Sequence, residues 1–344
     1  MDNNSMDLTK IVETESRKDS HLALALNAIN ENIDHRFCYE PLLSAHPDKN
    51  QKWPVKIGNK TMNYPIWMSS MTGGTDKTNK INLRLAAAAA RFGLGMGVGS
   101  ARIALEGGKF LDGFRLRRII GENIPFYLNF GISQIEKMIE DNSIHKIKSL
   151  TNELEADGVI IHVNPLQEWM QPEGDFIKRP PIITIKEFIN KVDVSTIVKE
   201  VGQGFGYESM KELLQLPLVA VEFAASGGTN FSKLELMRNK TKSEFLMPFV
   251  HVGHSAEEMV GFCNQLSDEL SNKIKCSTLI ISGGIKNFLD GYYLIKKSKM
   301  NSLYGQAAGF LNYAQVSQEA LEDYIEYQIQ GLMLAKSFLK LKEY

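Results

Sequence analysis

The segment HVNPLQEWMQPEGD, which begins at His162, carries the densest group of side chains that could do chemistry. His162 and Asn164 are two residues apart, so they share one face of a strand. Pro165 ends that strand, and Gln167 and Glu168 follow in the loop. A carboxylate beside side-chain amides suits Mg²⁺, which takes few protein oxygens and keeps water or phosphate oxygens as its other ligands. Singly, Glu168 would be a solvated loop acid and His162 a core histidine, but four polar groups at one strand end favour a site.

Two Gly-Gly turns follow neighbouring apolar segments later in the chain. GGTN occupies residues 227–230, and SGGIK occupies residues 282–286. Such turns free backbone N–H groups where helices begin, an arrangement that binds anions. A single Gly-Gly pair usually marks an ordinary turn. Two in succession near the end of a barrel match the usual place of its phosphate site, so they predict phosphate binding.

Lys199 interrupts the apolar segment TIVKEVG. A lysine that points into a protein core is unfavourable unless an anion or a functional partner is present. The alternative is an outward lysine whose amino group reaches water. Val198 and Val201 on either side, and the polar Asn129 and His162 at matching positions of other strands, favour the inward interpretation.

Eight short apolar segments alternate with helical patterns from about residue 64 onward. They predict the α/β class and a closed (β/α)8 TIM barrel with its active site at the carboxyl ends of the strands. An open, doubly wound sheet is the alternative. A long amphipathic helix over about residues 313–341 is expected to end the chain. The predicted strands are residues 64–72, 93–100, 124–130, 158–164, 196–202, 218–224, 278–284 and 301–310.

Residues 1–60 precede the barrel and are interpreted as an N-terminal arm or lid that contributes to the active site. Residues 61–344 would form the barrel with its C-terminal helix. The arm carries the basic pair Arg17 and Lys18 and the apolar segment LALALNAI, which could dock as a short helix. A solvated basic pair is the alternative for Arg17 and Lys18.

Bulk composition excludes several other classes of protein. The chain has 344 residues, 43 % of them hydrophobic, and a formal net charge of −1, so it has no basic field to attract nucleic acid. Cys38, Cys263 and Cys276 are too scattered for a disulfide framework or a structural zinc site. Neither a secretory signal nor a membrane-spanning segment is indicated, so a cytoplasmic location is predicted.

Taken together, the motifs resemble the type 2 isopentenyl-diphosphate isomerases, which are FMN-dependent (β/α)8 enzymes. The match runs in order from about residue 15 to residue 311. RKxxH ahead of the barrel and HxNxxQE after the fourth strand are its most specific parts, whereas the glycine motifs occur in other FMN barrels. The matching motifs are ESRKDSHL (15–22), SSMTGGT (69–75), GVGSAR (97–102), HVNPLQE with PEGD (162–175), VKEVG (198–202), SGGTNFSKLE (226–235) and SGGI (282–285).

The resemblance implies that isopentenyl and dimethylallyl diphosphate are interconverted by 1,3-allylic proton transfer. It also implies reduced FMN, Mg²⁺, NAD(P)H that serves only to reduce the flavin, and a homo-oligomer of four or more chains. An unactivated alkene is weakly basic, so this transfer needs a strong acid–base pair in a dry site. No pair of side chains is obviously adequate, whereas N1 and N5 of a reduced flavin are.

The resemblance also assigns residues to these ligands. Lys199, His162 and Gln167 would be the catalytic residues, and Glu168 would bind Mg²⁺. The diphosphate substrate would contact Arg17, Lys18, His21, Ser100, Arg102, His162, Asn164 and Gln167. FMN would contact Ser70, Met71, Thr72, Ser100, Asn129, Lys199, Thr229, Gly284, Lys286, Ala307 and Ala308.

Two positions depart from the family pattern. Lys286 stands where an arginine is usual, which keeps the charge but loses the bidentate fork for phosphate. Ala308 and Gly309 replace a more polar pair, so phosphate binding there would depend on backbone donors. These departures bear on flavin affinity rather than on the reaction.

Three other functions compete with this interpretation. An FMN-dependent barrel oxidoreductase of the 2-hydroxy-acid oxidase type needs a histidine base and an arginine near the end of the sixth strand, where this chain has AASGGTN. A nucleotide dehydrogenase of the inosinate type needs a cysteine nucleophile on a barrel loop, and no cysteine follows a predicted strand. A catalytically inactive barrel is disfavoured because the predicted ligand positions carry competent side chains.

Overall fold

Eight parallel strands close into a barrel in the computed structural model, which describes residues 8–25, 27–28, 32–70, 73, 75–106, 109–238 and 245–342. The barrel runs from β4 through β11 in chain order, and β11 pairs with β4 to close it. Closure confirms the predicted α/β (β/α)8 TIM barrel and excludes the open sheet. The strands are β1 Phe37–Tyr39, β2 Val55–Ile57, β3 Lys60–Met62, β4 Ile66–Met68, β5 Gly95–Ser100, β6 Phe126–Gly131, β7 Gly158–His162, β8 Ser195–Lys199, β9 Ala220–Glu222, β10 Leu279–Ser282, β11 Ser302–Gln306 and β12 Leu339–Leu341.

Helices lie between the barrel strands and cover the barrel from outside. Local sequence sets their ends: Thr75 and Thr78 form a reciprocal capping box at the start of α2, and Gly93 ends it at φ 70°. None of the described helices is long and apolar enough to span a membrane. The helices are α1 Leu8–Ala25, α2 Asp76–Phe92, α3 Lys109–Asp112, α4 Arg117–Ile120, α5 Ile132–Glu140, α6 His145–Glu153, α7 Pro165–Met170, α8 Pro181–Lys191, α9 Tyr207–Leu214, α10 Phe231–Arg238, α11 Ala256–Leu270, α12 Phe288–Lys297, α13 Ala308–Val316 and α14 Gln318–Phe338.

The end of the chain differs from the prediction. The single helix expected over residues 313–341 is wrong, because Ser317 separates α13 from α14 and its Oγ accepts the N–H of Ala320 at 3.0 Å. After α14, β12 pairs antiparallel with β1. This pairing attaches the segment that precedes the barrel to the end of the chain.

A hairpin formed by β2 and β3 lies against the amino-terminal end of the barrel, opposite the expected site. Val55, Ile57 and Met62 are buried together with the inward side chains of the barrel strands. A Cβ on Gly58, at the hairpin turn, would lie 3.1 Å from the Tyr127 hydroxyl. The hairpin, residues 55–62, therefore contacts the barrel body, and the boundary at residue 60 stays a prediction.

Side chains inside the barrel form two layers that differ sharply in polarity. Because strand side chains alternate with a period of two, the inward positions of the second layer lie two residues after those of the first. The lower layer, beside the hairpin, is apolar or aromatic, and the upper layer is polar. The lower layer is Trp67, Tyr127, Ile160, Ile197, Ala220, Ile280 and Leu303. The corresponding upper positions are Ser69, Asn129, His162, Lys199, Glu222, Ser282 and Gly305.

Removing the Met62 side chain tests whether the hairpin seals the barrel. Met62 is fully buried, so Met62→Ala should lower the free energy of unfolding by about 2–5 kcal/mol through lost burial and a cavity. Thr61, its exposed neighbour in β3, provides the matched control T61A, with an effect within about 0.5 kcal/mol. Denaturant unfolding measures both. Equal stability of the two variants would show that the hairpin does not pack in the barrel.

Candidate active site

A cleft at the carboxyl ends of β8 to β11 and β4 is the candidate site. It contains about 620 Å³ of space, open solvent at its mouth included. Lys199, Glu222 and Ser282 form its floor. Six of the predicted FMN ligands line it, namely Ser70, Lys199, Thr229, Gly284, Ala307 and Ala308.

The two Gly-Gly turns meet at one end of this cleft. Gly227 and Gly283 have φ angles of 103° and 91°, which favour glycine. A Cβ on Gly227 would lie 3.0 Å from the Cα of Gly284, and one on Gly283 would lie 2.1 Å from the carbonyl oxygen of Ala225. The turns are therefore packed backbone against backbone, where side chains would not fit.

The first turn of α13 completes this end of the cleft. Ala307 caps the helix without a side-chain hydrogen bond, so the first N–H groups of α13 have no side-chain acceptor. Ala307 and Ala308 both line the cleft beside Gly284. Glycine turns and an uncapped helix start together make a backbone cradle suited to a phosphate group.

Lys199 and Glu222 lie side by side on the cleft floor. They are 5 % and 0 % exposed, and the register of β8 and β9 pairs them directly. Lys199 Nζ donates to the backbone oxygen of Glu200 at 2.8 Å. Glu222 Oε1 accepts from Ser282 Oγ at 3.3 Å, and its Oε2 makes no hydrogen bond of standard geometry with the described residues. Lys199 therefore points inward, and the alternative of an outward lysine is excluded.

Burial and mutual attraction act in opposite directions on these two groups. Burial lowers the pKa of Lys199, while the carboxylates of Glu222 and Glu200 oppose that shift. Burial raises the pKa of Glu222, and Lys199 opposes that shift in turn. Each charge is therefore the main support of the other in a region that solvates neither.

Glu222 is a site residue that the sequence reasoning missed. It lies in the segment LVAVEFA, which the pattern of apolar residues predicts only as a strand. A charged residue inside an apolar strand, which indicates a site residue at Lys199, indicates one at Glu222 as well. Glu222 and Lys199 also fall at matching points of successive strands, next to each other in the barrel.

A chain of hydrogen bonds joins three predicted site residues across β4, β6 and β7. Asn129 Nδ2 donates to Ser70 Oγ at 3.2 Å, and Asn129 Oδ1 lies 2.8 Å from His162 Nδ1. Burial, and secondly the charge of Lys199, lower the pKa of His162 from 6.5 to about 3. His162 is therefore neutral at pH 7, and its Nδ1–H donates to Asn129. Gly131 leaves room for the ring, since a Cβ there would lie 3.0 Å from Nε2.

Asn164 and the first turn of α7 hold the predicted substrate and metal residues together. The loop predicted for Gln167 and Glu168 is wrong, because both lie on α7, which begins at Pro165. Asn164 Nδ2 donates to Gln167 Oε1 at 3.1 Å and to Glu168 Oε1 at 2.9 Å. Asn164 Oδ1 is buried and has no partner in the described part of the chain. The amide and carboxylate oxygens thus cluster as the spacing of the motif predicts.

Glu168 also connects α7 to Arg102. Its Oε2 accepts the backbone N–H of Asp175 at 2.8 Å, and the Asp175 carboxylate pairs with Arg102 Nη1 at 3.1 Å. Both members of this pair are exposed, so it adds little stability and Arg102 is free to exchange partners. Within the described residues no group of three or more His, Cys, Asp or Glu side chains is placed to hold a metal.

Several predicted ligands lie away from the cleft or outside the described residues. Arg17, Lys18 and His21 lie on α1, where every side chain from residue 17 to residue 25 is exposed, and none lines the cleft. Lys286 is also exposed and off the cleft wall, and its N–H donates to Asp290 Oδ2 at 2.9 Å. Ser100 is exposed at the end of β5. Met71 and Thr72 are outside the described residues.

Comparison with known proteins identifies the family. No family model matches the chain. The isopentenyl-diphosphate delta-isomerase of Rickettsia bellii (strain RML369-C) is 33% identical over 278 residues, which cover 80% of this chain and 78% of that protein. The protein of the same name from Nostoc sp. (strain PCC 7120) is 30% identical over 326 residues, which cover 92% and 89%. The chain belongs to the isopentenyl-diphosphate delta-isomerase family. The predicted family and the predicted class, an isomerase, are confirmed.

Solved structures support the fold from greater distances. A mandelate oxidase variant with an FMN adduct has a TM-score of 0.57 at 10% identity, with 90% of this chain and 88% of that chain covered. The flavin-binding domain of baker's yeast flavocytochrome b2 has a TM-score of 0.61 at 9% identity, with 88% and 72% covered. At these identities the likeness shows a shared barrel fold.

The cleft also bears on the competing functions. Among its lining residues in the described part of the chain, none is a histidine, an arginine or a cysteine. Cys263 and Cys276 are buried in the core away from it, and burial raises the pKa of both thiols. Neither the oxidase base with its arginine nor the inosinate-type nucleophile has a counterpart on the cleft wall.

The pH dependence of stability tests the environment of His162. The unfolded state binds a proton on this histidine below pH 6.5, and the folded state binds it only near pH 3. Stability should therefore fall as pH decreases from 6.5 toward 3, by up to about 1.4 kcal/mol per pH unit. His162→Gln should show a shallower fall in denaturant unfolding between pH 6.5 and pH 4. His145→Gln, at the exposed start of α6, is the control. A slope equal in H162Q and wild type would contradict the assignment.

Proposed function

We propose that the protein converts isopentenyl diphosphate to dimethylallyl diphosphate by 1,3-allylic proton transfer, with reduced FMN bound in the cleft. The observation that carries this proposal is one cleft with a backbone phosphate cradle at one end and a buried lysine on its floor. Membership of the isomerase family supports the reaction, and the shared fold with flavin enzymes supports the cofactor.

The residues of the cleft fit FMN. The cradle formed by Gly227, Gly283 and the start of α13 suits the terminal phosphate, because glycine turns without room for side chains and a helix start without a side-chain cap can offer backbone N–H groups to an anion. Ser69 Oγ and Glu222 Oε2 are buried polar atoms near one another that make no hydrogen bond of standard geometry with the described residues. A polar ligand would satisfy them.

Reduced FMN, when bound, supplies the proton carriers at N1 and N5 that an unactivated alkene requires. Lys199 places a positive charge on the floor, where it stabilises negative charge on a bound ring, and low polarity strengthens that effect. Asn129 holds neutral His162 in one orientation, so its Nε2 can accept a hydrogen bond from substrate. The apolar layer below excludes water from the floor.

The diphosphate would be held by the first turn of α7 and by cations around the mouth. Mg²⁺ often binds through one carboxylate, with phosphate and water oxygens as its other ligands. Glu168 fits that role, and the unpartnered Asn164 Oδ1 lies within the same hydrogen-bonded cluster. Arg102 can leave Asp175 for a phosphate oxygen. Gln167 would join the substrate contacts, and Arg17, Lys18 and His21 would do so if the arm closes.

We further propose that NAD(P)H reduces the flavin with no net oxidation of the substrate. The enzyme would be a cytoplasmic homo-oligomer of four or more chains. The remaining assignments from the family resemblance, including Ser100, Met71, Thr72 and Lys286 as flavin contacts, belong to this proposal.

Replacement of Lys199 tests the cofactor and the reaction together. Wild-type protein should retain FMN, lose its yellow colour with NAD(P)H in the absence of oxygen, and then isomerise isopentenyl diphosphate. Lys199→Ala should weaken FMN binding at least tenfold and abolish turnover, because the floor loses its positive charge. Flavin absorbance and product analysis measure these effects. Lys186→Ala, which removes an exposed ion pair with Glu212, is the matched control. Wild-type protein that binds no added FMN would refute the proposal.

Replacement of Glu168 tests the metal. Glu168→Gln should keep the fold and FMN binding but raise the Mg²⁺ concentration for half-maximal activity at least tenfold, because a charged ligand becomes neutral. Glu140→Gln, at an exposed ion pair with Lys178, is the control. An unchanged Mg²⁺ dependence in E168Q would show that Glu168 is not the ligand.

A further inference from the structure

Glu222 is a fully buried carboxyl group in the cleft that the mechanism above does not use. Its position on the floor follows from its place on β9, between Lys199 on β8 and the glycine turn that follows β10. A carboxyl group is costly to bury unless its oxygens are bonded. The hydrogen bonds that its two oxygens make therefore indicate which group of a ligand it can bind.

One oxygen of Glu222 is committed and the other is not. The N–H of Ala224 donates to Ser282 Oγ at 2.9 Å, which leaves the Ser282 hydroxyl hydrogen for Glu222 Oε1 at 3.3 Å. Oε2 makes no hydrogen bond of standard geometry with the described residues, although the side chains of Ser69 and Trp67 lie close enough to the carboxyl group to lower its pKa. Oε2 is also not in a direct ion pair with Lys199, whose Nζ donates to the backbone oxygen of Glu200. Because Glu222 lines the cleft, its carboxylate can accept a further hydrogen bond from a bound ligand.

The order of the strands indicates which part of a bound FMN would lie next to Glu222. Neighbouring strands β8, β9 and β10 carry in turn Lys199, Glu222 and Ser282, and Gly283 with Gly284 follow immediately. With the phosphate in the glycine cradle and the ring beside Lys199, the segment between them crosses β9. In FMN that segment is the ribityl chain, which carries three hydroxyl groups.

We infer that Glu222 binds the ribityl chain of the flavin by accepting a hydrogen bond from one of its hydroxyl groups. This inference rests on the proposed function, because it requires FMN in the cleft. A hydrogen bond from a hydroxyl to a buried carboxylate is charge-assisted and therefore strong. It would also give Oε2 a hydrogen bond of good geometry, which the described residues do not supply.

Two uncharged flavins that differ in the ribityl chain provide the test. Riboflavin has the chain and lumiflavin has a methyl group instead, and neither carries the phosphate. Binding of each to flavin-free protein is measured by quenching of flavin fluorescence. Glu222→Met should weaken riboflavin binding at least tenfold and change lumiflavin binding less than threefold. Glu222→Gln, which keeps the shape, should weaken riboflavin binding by a smaller factor and spare lumiflavin.

The possible outcomes separate this inference from the proposed function. Equal losses for the two flavins would place Glu222 at the ring and overturn the inference, as would unchanged binding of both. Glu235→Gln, which changes a buried carboxyl group away from the cleft, should leave both affinities as in wild type. Thermal unfolding of each variant identifies loss of fold, and E222Q serves if E222M is unfolded. Failure of wild-type protein to bind FMN would instead refute the proposed function.

Discussion

The structure depends on a change in the polarity of the side chains inside the barrel. Inward side chains are apolar in one layer and polar in the next, two residues further along the strand. Closure of eight strands directs alternate side chains inward, so seven of the strands contribute one residue to a lower layer and one to an upper layer, while β5 has glycines at 95 and 97. The lower layer is apolar and is covered by the β2–β3 hairpin from below. The upper layer can then be polar, since water does not reach it through the barrel. The cleft is this upper layer, opened toward the carboxyl ends.

Charges in the upper layer depend on one another. His162, Lys199 and Glu222 are aligned in register across three neighbouring strands. Lys199 helps to keep His162 neutral, and Glu222 helps to keep Lys199 charged. Removal of one member leaves another buried charge unsupported, which is costly in a region of low polarity. The charge of the floor is therefore a property of the three residues together, and a bound anionic ligand would change all of them.

Patterns within single segments predicted the barrel, the glycine turns and the inward Lys199, because each depends on alternation or turn geometry over a few residues. The break at Ser317 was missed because helix-like periodicity continues on both sides of it. The pairing of β1 with β12 joins residues about three hundred positions apart, which no local pattern reveals. Glu222 could have been found, since its strand breaks the apolar pattern as the strand of Lys199 does. The positions of Arg17 and Lys18 relative to a substrate depend on contacts that the arm itself must make.

The same barrel fold occurs in flavin oxidases at about 10% identity, so the strands alone do not determine the reaction. The differences lie where the strands end. After β9 this chain has two alanines and a glycine turn, where an oxidase would need a base and an arginine. After β7 it has instead a short helix, α7, whose amides and carboxylate are joined through Glu168 and Asp175 to Arg102. A site without a histidine and an arginine after β9 but with anion-binding groups at its mouth suits a substrate held by its phosphates. Binding energy from the phosphates can then position the hydrocarbon part of the substrate, which is unreactive and has no polar group for the protein to bind.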